Sequence, residues 1–395
     1  MPALLGATAL GFSGYAVLIT VAPLWAVTGG SGPVGAGLIN GALMLFTVLA
    51  QAFVPMALRL FGWGPTLAVG LLLLGGASLP QLLSNQLGVL LTLAAVRGVG
   101  FGVLTVVGSA AVAELVEPSR RGRAIGAYGL AIAAPQLFLL PFAPWMAQNI
   151  GFPLVFAIGS CPLVGIPAAF VLARRLREKH AEYNARRDGA PAPGDSDTAG
   201  GRAAVIARLL RPVILLLGVT LAGGAMLTFA PQMSSNQTAT VIGLFLLTAV
   251  TALCRWRFGA FADRYGARRF LWPLVLVTTV ALALIAWAVI DPTSTRIVPF
   301  LAGLALLGVS YGGLQNLTLV DAFSSVRRQH YSLASAVWNT GFDAGTGIGS
   351  VLLGVLAGAL SFPSALLICA AISLATLPLA LVRQRALAPT RPRRG

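Results

Sequence analysis

The chain has 395 residues, 57% of them hydrophobic and only 10% charged, with a mean hydropathy of +0.86. A soluble domain carries roughly a quarter charged residues, so this composition excludes a water-soluble globular protein. The formal net charge of +16 would suit a nucleic-acid binder, but the charges fall in separate groups between apolar runs, which argues against that class.

The apolar runs are each about 20 residues long and end in Gly, Pro or Arg clusters, the pattern of transmembrane helices. The first six are expected at approximately 3–27, 34–58, 65–83, 88–114, 123–146 and 153–173. The first begins without the charged start and small-residue cleavage site of a signal peptide and is read as a span. It carries Phe12, Tyr15 and Trp25, and the second carries Asn40 and Gln51. The fourth holds Arg97, read as the one basic residue inside a span, and ends at Glu114; the fifth holds Gln136.

A long polar segment follows. Its centre, "DGAPAPGDSDTAGG", has the composition of a flexible linker, and its end, "RAAVIARLLR", is expected to form a short amphipathic helix at the membrane surface. Six more spans are expected at approximately 212–231, 239–260, 270–290, 297–321, 330–358 and 364–382. The seventh carries Met226, Phe229 and Gln232, the tenth Tyr311 and the eleventh Asp343. The expected organisation is a six-helix bundle over 1–173, a cytoplasmic linker with a possible interfacial helix over 174–211, and a second bundle with a basic tail over 212–395.

Basic residues cluster at Arg59, at Arg120 to Arg123, from Arg174 to Arg211, from Arg255 to Arg269, at Arg327 and Arg328, and from Arg383 to Arg394. Each group follows an even-numbered span, and the opposite connections hold only Arg296. By the positive-inside rule both termini are then cytoplasmic, in the cell membrane, with the surplus charge facing anionic lipids of the inner leaflet. Cys161, Cys254 and Cys369 are scattered in or beside apolar runs and read as small apolar filler. His180 and His330 sit in connections away from any Cys or carboxylate cluster, so neither a metal nor a cofactor is expected.

The two halves repeat. Glu114 stands six residues before the pair Arg120 and Arg121, and Asp321 stands six before Arg327 and Arg328, at a shift of about 207. "LRLFGWG" aligns with "ADRYGAR", Gly62 on Gly266, at a shift of about 204. Such parallel duplication is one of the known transporter plans.

"GAFADRYGARR" (Gly259 to Arg269) between spans eight and nine resembles the GxLaDRxGRR loop of the major facilitator superfamily. "RGVGFG" (Arg97 to Gly102) is similar to its RxxxGxG element. "GAYGLAIAAP" in span five is a weakened GxxxGP motif of its drug–proton antiporters, and "FDAGTGIGSVLLG" in span eleven resembles their acidic, glycine-rich pattern. The resemblance covers the whole chain. It implies an all-α integral membrane fold of twelve transmembrane helices in two pseudo-symmetric six-helix bundles. The function it implies is secondary transport by alternating access, not enzymatic: proton-coupled efflux of a small amphipathic or hydrophobic solute by a monomer. Uptake of a small organic anion with Arg97 as counter-charge is the alternative, and a non-transporting scaffold is a third reading.

The resemblance also implies a latch built from Gly259, Asp263, Arg264, Gly266 and Arg268 with Glu114 and Asp321. Asp263 would dock on the helix start at Arg121 to Ala124, where free N–H groups and the helix dipole favour an anion. Arg264 and Arg268 would face Asp321 and lipid phosphates. In the first half Arg59 stands where the acid would be and Pro55 where the first glycine would be, so the latch is expected to work from one half only.

Among the eleven acids, only Asp343 falls near mid-membrane, where an ionisable residue is a functional candidate by default. A carboxyl group removed from water can exchange a proton near neutral pH, as a proton-coupled carrier requires; otherwise Asp343 accepts hydrogen bonds across the bundle interface from Asn40 or Gln51 and never titrates. Arg97 binds an anionic part of the substrate, influences proton release, or bonds to backbone carbonyls and Gln136. Asn40, Gln136, Gln232 and Tyr311 are the other candidates for the substrate cavity. "GVGFG" and "GTGIG" lie within apolar helices and read as close packing sites rather than nucleotide loops. The sequon "NQT" at Asn236 is too short to assign glycosylation.

Overall fold

In lipid an apolar run satisfies its backbone only as a helix or a closed barrel. The computed structural model of the chain is mostly helical, with no strand among its described residues, which are 1–115, 121–185, 199–327 and 330–382. The side chains at 113, 121–126, 179–185, 199–202, 263 and 332 fall outside that description. Twelve segments are long and apolar enough to cross a membrane.

The first bundle comprises α1 (Pro2–Thr28), α2 (Pro33–Phe61), α3 (Trp63–Gly76), α4 (Leu87–Leu115), α5 (Arg121–Asn149), α6 (Phe152–Gly159) and α7 (Ile166–Ala185). The second comprises α8 (Ala199–Met233), α9 (Gln237–Tyr265), α10 (Arg268–Ala288), α11 (Ile297–Ser324), α12 (Tyr331–Ala359), α13 (Phe362–Leu374) and α14 (Leu377–Leu381). The expected twelve spans are all present. The third continues past α3 as a 3-10 turn, Leu79–Leu83; the sixth is α6 and α7 joined by another, Cys161–Gly165; the twelfth is α13 and α14. Pro80, Pro162 and Pro378 sit at the starts of the new segments, where a missing N–H and a fixed φ interrupt the α-helical ladder.

"RAAVIARLLR" does not form a separate surface helix. It is the beginning of α8, and Val205 and Leu209 are buried with Ala262, Leu271 and Ala380 in the core of the second bundle. Asn236 of the sequon caps α9: its side-chain oxygen accepts the Ala239 N–H at 2.9 Å, the usual work of Asn at a helix start.

The duplication is visible in detail. Gly62 and Gly266 both close a helix with positive φ, 79° and 82°, a conformation that only glycine adopts without strain. In the first bundle Gly98 and Gly102 of α4 press on the carbonyls of Leu43 and Thr47 in α2; in the second, Gly308 and Gly312 of α11 press on those of Leu247 and Thr251 in α9. The Thr47 hydroxyl donates to Gly98 O at 3.1 Å and the Thr251 hydroxyl to Gly308 O at 3.4 Å. The glycine strings therefore do serve close helix packing.

Even numbers of spans separate the start of α1, the end of α7, the start of α8 and the end of α14, which puts these four helix ends on one face, here called the linker face; the other is the far face. Between the bundles, α2 crosses α12 with Gly37 against Ser350 and Gly354 against Pro33, all in the far half. Inside the second bundle, α8 and α12 meet reciprocally, Gly224 on the Thr346 backbone and Gly349 on the Leu221 backbone. A methyl group at either place meets main chain that cannot swing aside. Gly349→Ala is expected to lower stability by about 1–3 kcal/mol through overpacking, read as a lower melting temperature in detergent; an unchanged melting temperature would contradict so close a crossing.

Candidate functional site

Asp343 lies thirteen positions into α12, near the middle of its span and 6% exposed. It sits where α12 of the second bundle crosses α2 of the first, and the Gln51 Nε2 donates to its Oδ2 at 2.7 Å. Gln51 also approaches the Thr105 hydroxyl of α4 at 3.4 Å. A single amide thus ties the buried carboxylate to the other bundle. Asn40, the other expected partner, is engaged elsewhere. Its Nδ2 donates to Ile19 O at 2.7 Å and to the Thr228 hydroxyl at 2.8 Å, and Thr228 is bonded to Ser350 at 2.8 Å. This buried set joins α1, α2, α8 and α12 in the far half. Nearby, Gln232 only bonds back to Thr228 O at 2.9 Å.

Arg97 on α4 is fully buried, and none of its three side-chain nitrogens has a hydrogen-bond partner among the described residues. The expected bond to Gln136 is not made: the Gln136 amide donates to Ile132 O, one turn back on α5, at 3.3 Å. One turn from Arg97 on the same helix, Phe101 stacks on Tyr15 of α1 with centroids 4.1 Å apart and planes at 5°, and Phe12 meets Phe101 edge-on at 5.4 Å. Tyr15 lies within electrostatic reach of Arg97, Asp343 and Tyr311. The Tyr311 ring packs against Phe342 of α12, and Tyr311 lies in turn within reach of Asp343 and of Arg255 on α9. A row of ionisable groups therefore crosses the molecule from α4 through α1, α12 and α11 to α9. A guanidinium without a partner inside hydrocarbon is costly, so Arg97 marks the point of greatest unmet demand for an anion.

Toward the linker side the polar residues on α4 and α12 become exposed. Ser109, one turn from Thr105 on α4, is exposed, as are Glu114 beyond it and Asn339, one turn from Asp343 on α12. On the far face, α5 and α9 are tied by Gln237, whose amide donates to Gln148 at 2.6 Å and accepts from Asn149 at 3.2 Å. A cleft of about 280 Å³ beside that tie is lined by Trp145, Gln148, Ser234 and Gln237 among others. No charged group lines it, and it is not part of the central row.

The sequence model of the Major Facilitator Superfamily matches residues 4–326 and again 213–395. The chain belongs to this superfamily. Among curated proteins it is similar to a probable 4-methylmuconolactone transporter of Cupriavidus pinatubonensis, 27% identical over 232 residues, covering 54% of this chain. The chain matches only about half of that relative's length, 50%. The fold is shared with a bacterial homologue of the human lysosomal transporter Spinster in an inward-facing, unoccupied conformation, at TM-score 0.71 and 14% identity over 96% of this chain and 93% of the other. It is shared also with the nucleoside transporter NupG, at TM-score 0.66 and 14% identity over 97% and 100%.

For this superfamily member, the residues grouped as a latch separate into parts. Asp321 is 2% exposed and takes Arg211 Nη1 at 2.7 Å and Arg268 Nε at 3.5 Å. Arg264 does not face Asp321; its guanidinium stands 5.2 Å over the ring of its neighbour Tyr265. The docking expected for Asp263 at Arg121 to Ala124 lies outside the described side chains. Gly259 faces Asn316 of α11.

Two functional candidates escaped the sequence reading. Arg211 was counted with the linker, yet α8 is already packed there and its Nε donates to Leu379 O at 2.8 Å. Arg255 is grouped with the charges of the loop although it falls inside the expected eighth span, 239–260; it lies in the span Gln237–Ala262, so Arg97 is not the one basic residue inside a span. The available signal was spacing: Thr251, Arg255 and Gly259 lie on one face of a helix. Trp25 is a packing residue, with its indole N–H on Gln81 O at 2.9 Å and its ring against Phe152.

Proposed function

We propose that the chain carries a small organic anion across the cell membrane by alternating access, with both termini cytoplasmic, Arg97 as the counter-charge and Asp343 as the proton-coupling carboxyl. The observation that carries this reading is Arg97, wholly buried with three unpartnered nitrogens. A neutral amphipathic solute leaves that charge unmet; a carboxylate satisfies it with bidentate, charge-assisted hydrogen bonds. The likeness to a probable 4-methylmuconolactone transporter supports an acid of small ring size. The aromatic wall of Phe12, Tyr15 and Phe101 suits the body of such a solute, and Asp343, one bonded amide away from the first bundle, suits co-transport of a proton with the anion.

The test is uptake of labelled 4-methylmuconolactone into proteoliposomes. Wild type is expected to transport it, and Arg97→Gln to cut initial uptake by at least about tenfold, the scale of a lost charged hydrogen bond. Uptake by Arg97→Gln at the wild-type rate would overturn the anion reading. A second reading, proton-exchanging efflux, is favoured by the span-five resemblance "GAYGLAIAAP". The sign of the driving gradient separates the two: symport accumulates solute on the alkaline side, and antiport on the acidic side.

A further inference from the structure

Arg255 is a charge within a span that the site described above does not use. It lies on α9 about ten residues before the helix ends at Tyr265. Lipid-facing positions on this helix are marked by Leu253 and Trp256, both strongly exposed. Arg255 does not share that face. Its backbone N–H side is pressed by Gly312 of α11, and its Nη1 reaches the buried Gln315 at 3.4 Å. The side chain is nonetheless exposed, on the side of α9 that faces Gln315 and Tyr311 of α11. Among the described residues no carboxylate pairs with it.

The duplication says where it points. The shift of about 204 that lays Gly62 on Gly266 also lays Thr47 on Thr251 and Gln51 on Arg255. The contacts repeat accordingly: Gln51 approaches Thr105 of α4 at 3.4 Å, and Arg255 approaches Gln315 of α11 at 3.4 Å. Gln51 then reaches across to Asp343 in the opposite bundle. Under the shift of about 207, the counterpart of Asp343 is Gln136 on α5, and α5 packs beside α9. Where one side of the pseudo-symmetric interior pairs an amide with a carboxylate, the equivalent positions on the other side hold a guanidinium and an amide. That amide is already turned back to its own helix.

Resting on the anion reading above, we infer that Arg255 is the second anchor for the solute, so that the substrate is a small acid with a second acceptor group at its other end, held by Arg97 in one bundle and Arg255 in the other. The acceptor is a second carboxylate or a ring carbonyl, either of which the guanidinium fork can take. Two anchors on different bundles also give binding a direct hold on the rocking equilibrium, because only the closed arrangement satisfies both ends.

The test uses a matched pair of acids, adipate with a carboxylate at each end and hexanoate with one, scored by the concentration giving half-maximal thermal stabilisation of the purified carrier at constant ionic strength. Wild type is expected to prefer adipate by at least about tenfold. Arg255→Gln is expected to bind both acids equally, at the hexanoate level; Arg255→Lys, which keeps the charge should the first variant not fold, is expected to keep part of the preference. Arg97→Gln is expected to lose both acids. No preference in the wild type, or a preference that survives in Arg255→Gln while Arg97→Gln loses both, overturns the second anchor and leaves the anion reading standing. If neither acid stabilises the wild type, or Arg97→Gln binds both as the wild type does, the anion reading itself falls and this inference with it.

Discussion

An Asp343→Asn carrier is expected to lose all pH-driven accumulation of its solute while still exchanging solute across the membrane. The expectation follows from where the carboxylate sits. It belongs to α12 of the second bundle, and its partner among the described residues is Gln51 of the first, at 2.7 Å. An ionised carboxylate accepts that bond as a charge-assisted one, roughly twice as strong as the bond a neutral group accepts. On the proposed coupling, taking up a proton would weaken a tie between the two bundles and so bias the conformational equilibrium. Asparagine presents a similar shape and can still accept from Gln51, but it holds no proton to exchange. It should behave as the carrier frozen in its neutral form. A one-unit pH gradient working through one proton supports at most about a tenfold concentration ratio, and in Asp343→Asn that ratio should fall to one. The measurement is gradient-driven accumulation beside counterflow without a gradient, in the same proteoliposomes. Tenfold accumulation retained in Asp343→Asn would remove Asp343 from the coupling path.

What the sequence disclosed and what it hid divide along physical lines. Spans, their number and the duplicated halves were legible because each depends on local composition and on residues at fixed spacing, such as Gly62 and Gly266. The Gln51–Asp343 contact is one of the two the sequence suggests, because few polar side chains share that depth. The buried set of Asn40, Thr228 and Ser350 was not legible. Its members lie on helices far apart in sequence, and Ser and Thr in an apolar helix read as ordinary small packing residues until the crossing angle brings them together. Arg211 and Arg255 were missed for a different reason. Helix ends are the least certain part of any sequence reading, and Arg211 stands one residue outside the expected start of its span; Arg255 falls inside its expected span but groups by sequence with the basic run that ends at Arg269. Long side chains that enter the interior from near a helix end look, in sequence, like the basic residues that set topology.

The charge cluster on the linker face should reveal itself through stability. Asp321 is 2% exposed and meets two arginines unequally, Arg211 at 2.7 Å with 6% exposure and Arg268 at 3.5 Å with 35%. Arg211 is further held by Leu379 O at 2.8 Å, so the carboxylate joins α8, α11 and α14, with α10 more loosely attached through Arg268. Asp321→Ala removes the carboxylate partner of a buried guanidinium, and breaking a pair in that way costs about 3–5 kcal/mol. The half-exposed Arg268 makes a longer contact, worth about 0–1 kcal/mol as a surface-type pair. Asp321→Ala is therefore expected to lower the melting temperature in detergent far more than Arg268→Ala does. Replacing both buried partners, Arg211→Met with Asp321→Leu, is expected to recover much of the loss, because no buried charge is then left alone. Equal losses for Asp321→Ala and Arg268→Ala, or no recovery in the double replacement, would assign the stabilisation elsewhere. The consequence for transport is mechanical. Alternating access needs each bundle to move as one body, and on the linker side of the second bundle three helices are fastened by this one carboxylate. A weakened triad should thus lower transport by letting the bundle deform as it rocks, even with Arg97, Arg255 and Asp343 intact.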